Sequence, residues 1–202
     1  MKAKMKLMLL AVTVAFLAGA ALANQLAGQL GILTHETLTG RRRILIPGGV
    51  TLASGRGRGD SQGALLYSKK LSTSPLFLAS GEKVRVTGLR LYGPDPNRST
   101  EQMRKLYKEG RYYSVPNSEG IISTYPGLEV DNCELWGWSH AAVFLRRGAL
   151  KAHIHHNYIH HTQRSGLGYG VCLDKADALI EANLFDWCCR YGQAEHQLRG
   201  AL

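Results

Sequence analysis

Ala152-His-Ile-His-His-Asn-Tyr-Ile159 decides the fold, because three other stretches of the chain can be laid over it. The shared pattern is an aliphatic residue, two residues, a ladder residue, one residue, and a second aliphatic. It reads Ile154-His-His-Asn157-Tyr-Ile159 here. Val86-Thr-Gly-Leu89-Arg-Leu91 and Val130-Asp-Asn-Cys133-Glu-Leu135 precede it, and Ile180-Glu-Ala-Asn183-Leu-Phe185 follows. The last three copies start 24 and 26 residues apart (154 − 130 and 180 − 154), and the first gap is 44 (130 − 86). That gap holds either an extra turn or one large insertion.

A second strand precedes each copy: Leu76-Phe-Leu78, Gly120-Ile-Ile122, Val143-Phe-Leu145 and Val171-Cys-Leu173. Self-similarity with a period in the twenties, built from short strands and Gly-rich turns, marks a stacked solenoid. A leucine-rich repeat needs leucines at fixed spacing and a helical half, and this chain has neither. The pattern predicts an all-β parallel β-helix.

The Asn157-Tyr-Ile-His-His161 run, the Gly166-Leu-Gly-Tyr-Gly-Val171 turn and the opening Ile46-Pro-Gly-Gly-Val-Thr-Leu-Ala-Ser-Gly55 carry a resemblance. Over residues 43–190 the chain resembles right-handed parallel β-helix proteins of the pectate-lyase-like superfamily. That resemblance implies the right-handed fold. It also implies a range of activities, from polysaccharide lyases, hydrolases and epimerases to non-catalytic adhesins and phage spikes. The paired-Asp and Arg/Lys motifs of the hydrolase and lyase branches are not found in this sequence.

Residues 1–23 read as an export signal: Lys2, Lys4 and Lys6, then the apolar run Leu7–Leu22, then Ala21-Leu-Ala23 as a small-x-small cleavage site. The run is shorter than the roughly 20 residues a bilayer span needs. No integral span is expected after cleavage, and the location expected is secreted or periplasmic. The remaining 179 residues (202 − 23) suffice for one domain. Three of the 25 Lys+Arg lie in the signal, which leaves 22 − 15 = +7. Export argues against nucleic acid, so an anionic polysaccharide is the partner expected of this basic chain.

Residues 24–42, with Leu26, Leu30 and Leu33 at helical spacing, are expected to cap the first coil with a short helix. Residues 43–202 form the β-helix domain. The Arg56-Gly-Arg-Gly-Asp60 stretch reads as a turn between coils, since it lacks the Lys-Ser/Thr ending of a phosphate loop. Residues 93–119 interrupt the repeat and read as an inserted loop with a short helix near Met103 and Leu106. Tyr112 and Tyr113 in that loop are candidates for stacking on sugar rings. After Phe185 no polar cap is recognisable, and a truncated C-terminus is expected.

Side chains alternate along a strand, so the repeat also sorts the surface. With Val86, Val130, Ile154 and Ile180 inward, Arg85, Glu129, His153 and Leu179 form one outward column. Thr87, Asp131, His155 and Glu181 form the next. Coils about 4.8 Å apart gather Glu129, Asp131, His153, His155 and Glu181 on one face, the candidate catalytic set for general acid and base work. Arg85 is the candidate to meet a substrate carboxylate. A solvated face of ordinary cross-strand pairs is the alternative.

A second cluster at the next bend, His140, His161, Arg164 and Tyr169, is a candidate for substrate binding, as is Tyr158. Of Trp136 and Trp138 one is expected in the core and one exposed, with Trp138 taken as substrate-binding. No metal site is assigned and no cofactor is required. A divalent ion on His153 and His155 with Glu129 or Asp131 is left open. Cys133 takes the inward slot of Asn157 and Asn183 and reads as a buried small hydrophobe. The four cysteines allow three full pairings. The leading expectation is a carbohydrate-active protein acting on acidic polysaccharide by lyase, hydrolase or epimerase chemistry. The alternatives are a non-catalytic glycan-binding β-helix and an inactive fragment.

Overall fold

A computed structural model describes residues 36–37, 43–95, 100–164 and 166–195, the side chains at 36, 37, 100, 102, 103, 113 and 190–195 excepted. The proposed export signal lies outside the described residues. So do the cap helix of residues 24–42, except for a two-residue strand, and the chain end after residue 195.

Three parallel sheets run along the solenoid. The first holds β2 (Ile44–Ile46), β5 (Phe77–Ala79), β8 (Glu119–Ser123), β11 (Ala141–Leu145), β14 (Tyr169–Asp174) and β17 (Arg190–Glu195). The second holds β3 (Thr51–Ala53), β6 (Arg85–Thr87), β9 (Glu129–Asp131), β12 (Ala152–His155) and β15 (Ala178–Glu181). The third holds β1 (Glu36–Thr37), β4 (Leu65–Tyr67), β7 (Arg90–Tyr92), β10 (Glu134–Trp136), β13 (Tyr158–His160) and β16 (Leu184–Asp186). The chain visits the sheets in the order first, second, third, and each strand pairs with the strand one coil away. This is a right-handed parallel β-helix.

Strand β6 pairs directly with β9, Val86 against Val130, so the 44-residue gap is an insertion and not an extra coil. The insertion carries the short helix α1 (Thr100–Lys108) and a 3-10 turn at Tyr112–Ser114. The first coil has no sequence copy because Leu52 and Leu66 are separated by the long 54–64 loop; in later coils the two strands are joined by a two-residue bend. No helix among the described residues is long and apolar enough to cross a membrane.

The core is the inward row of each sheet. Val86, Leu91, Val130, Leu135, Val143, Ile154, Ile159 and Val171 have no exposed surface. Each aliphatic side chain so placed contributes about 1.5–3 kcal/mol relative to an exposed position. At the bend between the second and third sheets, asparagines close the ladder. Asn157 Oδ1 accepts the Cys133 backbone N–H at 2.9 Å, and its Nδ2 donates to the Val130 carbonyl at 2.8 Å. Asn183 repeats the device one coil on, donating to the Ile154 carbonyl at 2.7 Å. An inward polar side chain survives there because every group it presents is satisfied.

Trp138 is wholly buried, its indole N–H donating to the Leu91 carbonyl at 3.3 Å. It lies against glycines: a Cβ on Gly93 would stand 2.7 Å from its ring. Of the two tryptophans Trp138 is the core one, and it does not line the surface as expected; Trp136 is the half-buried one.

Candidate functional site

The second sheet places both outward columns in the register read from the sequence. Arg85, Glu129, His153 and Leu179 align across β6, β9, β12 and β15, and so do Thr87, Asp131, His155 and Glu181. Their environments differ sharply.

Asp131 is buried although its strand position faces outward. Its carboxylate accepts hydrogen bonds from Arg85 Nε (2.9 Å), Arg85 Nη2 (3.0 Å), Thr87 Oγ1 (2.8 Å) and Asn132 Nδ2 (2.7 Å). Burial pushes the Asp131 carboxyl upward, but the bonds from Arg85 and Thr87 outweigh it and hold the group below the ordinary value. The same bonds raise Arg85 further. Asp131 is therefore a structural anion, and most of Arg85's charge is committed to it rather than to an external carboxylate.

Glu129 is half-buried, and Glu181 is exposed. Glu129 Oε1 lies 3.4 Å from Arg85 Nε and 3.3 Å from His155 Nε2. His153 Nε2 meets Glu181 Oε1 at 2.9 Å, and the His153 and His155 rings are 3.9 Å apart between centroids. His155 Nδ1 lies 2.8 Å from Nδ1 of His156, whose side chain is exposed. His156 has φ +54°, the left-handed conformation that lets consecutive imidazoles meet. Ionised Glu129 only accepts, so His155 donates from Nε2 and accepts at Nδ1. His156 then donates from Nδ1 and keeps its Nε2 lone pair outward. His156 can then exchange a proton with a ligand, with His155 as the link behind it; strand alternation does not show this, because His156 lies in the bend.

Ligand atoms of Glu129, Asp131 and His155 come within 4.8 Å of one another. These residues fit a divalent ion poorly. Asp131 has four donors on its two oxygens, and the Arg85 guanidinium stands where it would repel a cation.

The 54–64 loop packs at the bend beside this face, against Gly88 and Asn132. Arg56 Nη1 donates to the Asn132 carbonyl at 2.9 Å, and a Cβ on Gly57 would lie 3.4 Å from Asn132 Oδ1. The 93–119 insertion stands instead at the bend between the third and first sheets. Arg164 binds Asn117 and, through Nη2, the Val115 carbonyl at 3.2 Å, and the Tyr112 hydroxyl reaches Gly166.

The second cluster is divided. His140 Nδ1 lies 2.6 Å from Glu119 Oε1, with Tyr169 edge-on at 5.9 Å. Arg164 is buried beneath the insertion and is not at the surface as expected. His161 follows the end of β13 in the third sheet, beside His160. Tyr112 packs edge-on to Tyr107 at 6.0 Å. The Tyr113 side chain lies outside the described residues. Tyr158 stacks on His160 at 4.2 Å and donates to Asp186 at 3.3 Å. Tyr92, Trp136 and His160 form a stacked column, at 4.8 and 5.4 Å between centroids, so Trp136 has a ring on either side.

The fold and this face define a parallel β-helix with an ionisable surface on its second sheet. Comparison of the chain with protein-family models, with curated proteins and with solved structures found no match.

Proposed function

We propose that the chain is an exported β-helix of the pectate-lyase-like kind that acts on an acidic polysaccharide, with His156 as the proton acceptor. The observation that supports this reading is the Glu129–His155–His156 series, with contacts of 3.3 and 2.8 Å and its outer ring in solvent. A base oriented by a second group and backed by a carboxylate is the arrangement that proton abstraction needs. In uronate chemistry the proton removed is the one α to the sugar carboxylate, as in β-elimination or epimerisation. Hydrolysis by paired carboxylates fits less well, since Asp131 is sealed by four donors. The face itself holds three carboxylates against Arg85, so positive charge for the substrate comes from the 54–64 loop, with Arg56, and from the basic chain as a whole.

A second reading is a non-catalytic glycan-binding surface. It is favoured by the position of the 93–119 insertion, which does not wall the face. The discriminating experiment incubates the protein with a panel of uronate polysaccharides, following unsaturated-uronate absorbance, new reducing ends and epimerisation by NMR. Activity lost in a folded His156→Ala protein supports the proposal. Binding without turnover by a folded protein gives the second reading, and neither signal on any substrate overturns both.

A further inference from the structure

The third sheet carries a second set of residues built like the first. Glu134, His160 and His161 each follow Glu129, His155 and His156 by five positions. His160 Nε2 lies 3.2 Å from Glu134 Oε1, and His160 Nδ1 lies 2.7 Å from His161 Nδ1. His161 has φ +52°, as His156 has φ +54°. The rings are nearly perpendicular in both pairs, at 83° and 87°, with centroids 4.9 and 5.1 Å apart. With the nitrogens 2.7 and 2.8 Å apart, these ring separations mean that the nitrogens point at one another. A shared divalent ion would need the lone pairs to converge from about 2.0–2.1 Å; these do not.

We infer that Glu134, His160 and His161 form a second proton relay, which makes His161 a separate proton-exchange site for a hydroxyl-bearing ligand on the third sheet. This inference stands apart from the identity of any polysaccharide. The middle ring is held more firmly than in the first relay. His160 is buried, stacked between Trp136 at 5.4 Å and Tyr158 at 4.2 Å. The hydrogen bond from His160 also holds Glu134 below the ordinary carboxylate range, ahead of the opposing effect of burial. Trp187, 66 % exposed and stacked on His161 at 6.3 Å, offers an open ring beside that imidazole.

The proton bookkeeping closes without a further reagent. Ionised Glu134 accepts the His160 Nε2–H, so neutral His160 accepts the His161 Nδ1–H and His161 keeps a lone pair on Nε2. When the ligand hydroxyl gives up its proton, an N–H bond forms at His161 Nε2. The His161 Nδ1–H bond breaks as an N–H bond forms at His160 Nδ1. The positive charge then rests on His160 against Glu134, and the ligand keeps the electron pair as an alkoxide.

Two measurements test this without a known substrate. Long-range proton–nitrogen NMR of the intact chain, in mildly alkaline buffer, should find His160 protonated at Nε2 and His161 at Nδ1. Carbethoxylation by diethyl pyrocarbonate, read by tandem mass spectrometry, should modify His161 and slow several-fold in Glu134→Gln while His140 keeps its rate. The opposite tautomers in the wild type, or equal His161 rates in a folded Glu134→Gln protein, would overturn the relay.

Discussion

Arg85 and Asp131, on neighbouring strands of adjacent coils, are joined by two parallel hydrogen bonds of 2.9 and 3.0 Å. The fork joins an Asp131 side chain that is 1 % exposed to an Arg85 side chain that is 43 % exposed. Asp131→Asn keeps an oxygen acceptor for Thr87 but loses the charge-assisted pair, while Arg85 turns to solvent. The cost expected is about 2 kcal/mol, measured by chemical denaturation. A change within error would mean that the fork adds nothing beyond neutral hydrogen bonding.

The same pair sets an acid limit. The folded Asp131 pKa lies below its unfolded value, which is about 3.9 for a free aspartate. Its stabilisation is therefore complete above that value and drains away as pH falls through the folded one. The denaturation midpoint of the wild type should decline in this acid window. Asp131→Asn should decline less, and parallel curves would show that other carboxylates set the limit.

Asn157 carries the bend between the second and third sheets. Removing its side chain orphans the buried Cys133 N–H and takes from the Val130 carbonyl the donor it has besides the strand ladder. Asn157→Ala is expected to cost about 3 kcal/mol, from one unsatisfied buried N–H and one further hydrogen bond lost. Asn183→Ala, at a half-buried position, should cost less. The reverse order of midpoints would contradict this account of the ladder.

The legible part of the fold was what strand periodicity controls. The inward Val86–Val130–Ile154–Ile180 row and both outward columns follow from period two and one repeat, because a one-residue slip would turn the core to water. What alternation does not encode was hidden. Burial of Asp131 depends on Arg85 reaching across a coil. The histidine pairs depend on positive φ at His156 and His161, and the first coil is masked by the long 54–64 loop. Trp138 was misplaced because Gly93 and Gly120, distant in sequence, clear the space for its ring.

Trp138 gives a clean separation of stability from function. It is wholly buried, and Phe/Trp→Ala substitutions in cores cost about 3–5 kcal/mol. Trp138→Ala should lose stability on that scale while any glycan affinity of the still-folded fraction stays unchanged. Gly120→Ala, whose Cβ would meet the Ala142 carbonyl at 2.5 Å and this indole at 3.1 Å, should destabilise through the same contact. Weakened binding by a folded Trp138→Ala protein would place the residue in the binding site after all.

Cys133 reports on the opening of the solenoid. Its side chain has no exposed surface, and burial pushes the thiol pKa up to about 12. Thiolate is the reactive form, so alkylation in the native state must wait for the coil to open. When closing is faster than alkylation, the labelling rate follows the equilibrium population of the open form. Each 1.4 kcal/mol lost should then speed labelling about tenfold. Asn157→Ala, which removes the acceptor of the Cys133 N–H, should raise the rate by about a hundredfold for the 3 kcal/mol expected of it. Iodoacetamide labelling followed by mass spectrometry at Cys133 gives this rate directly. Rapid labelling of the wild type would mean that this bend opens far more readily than its buried ladder implies.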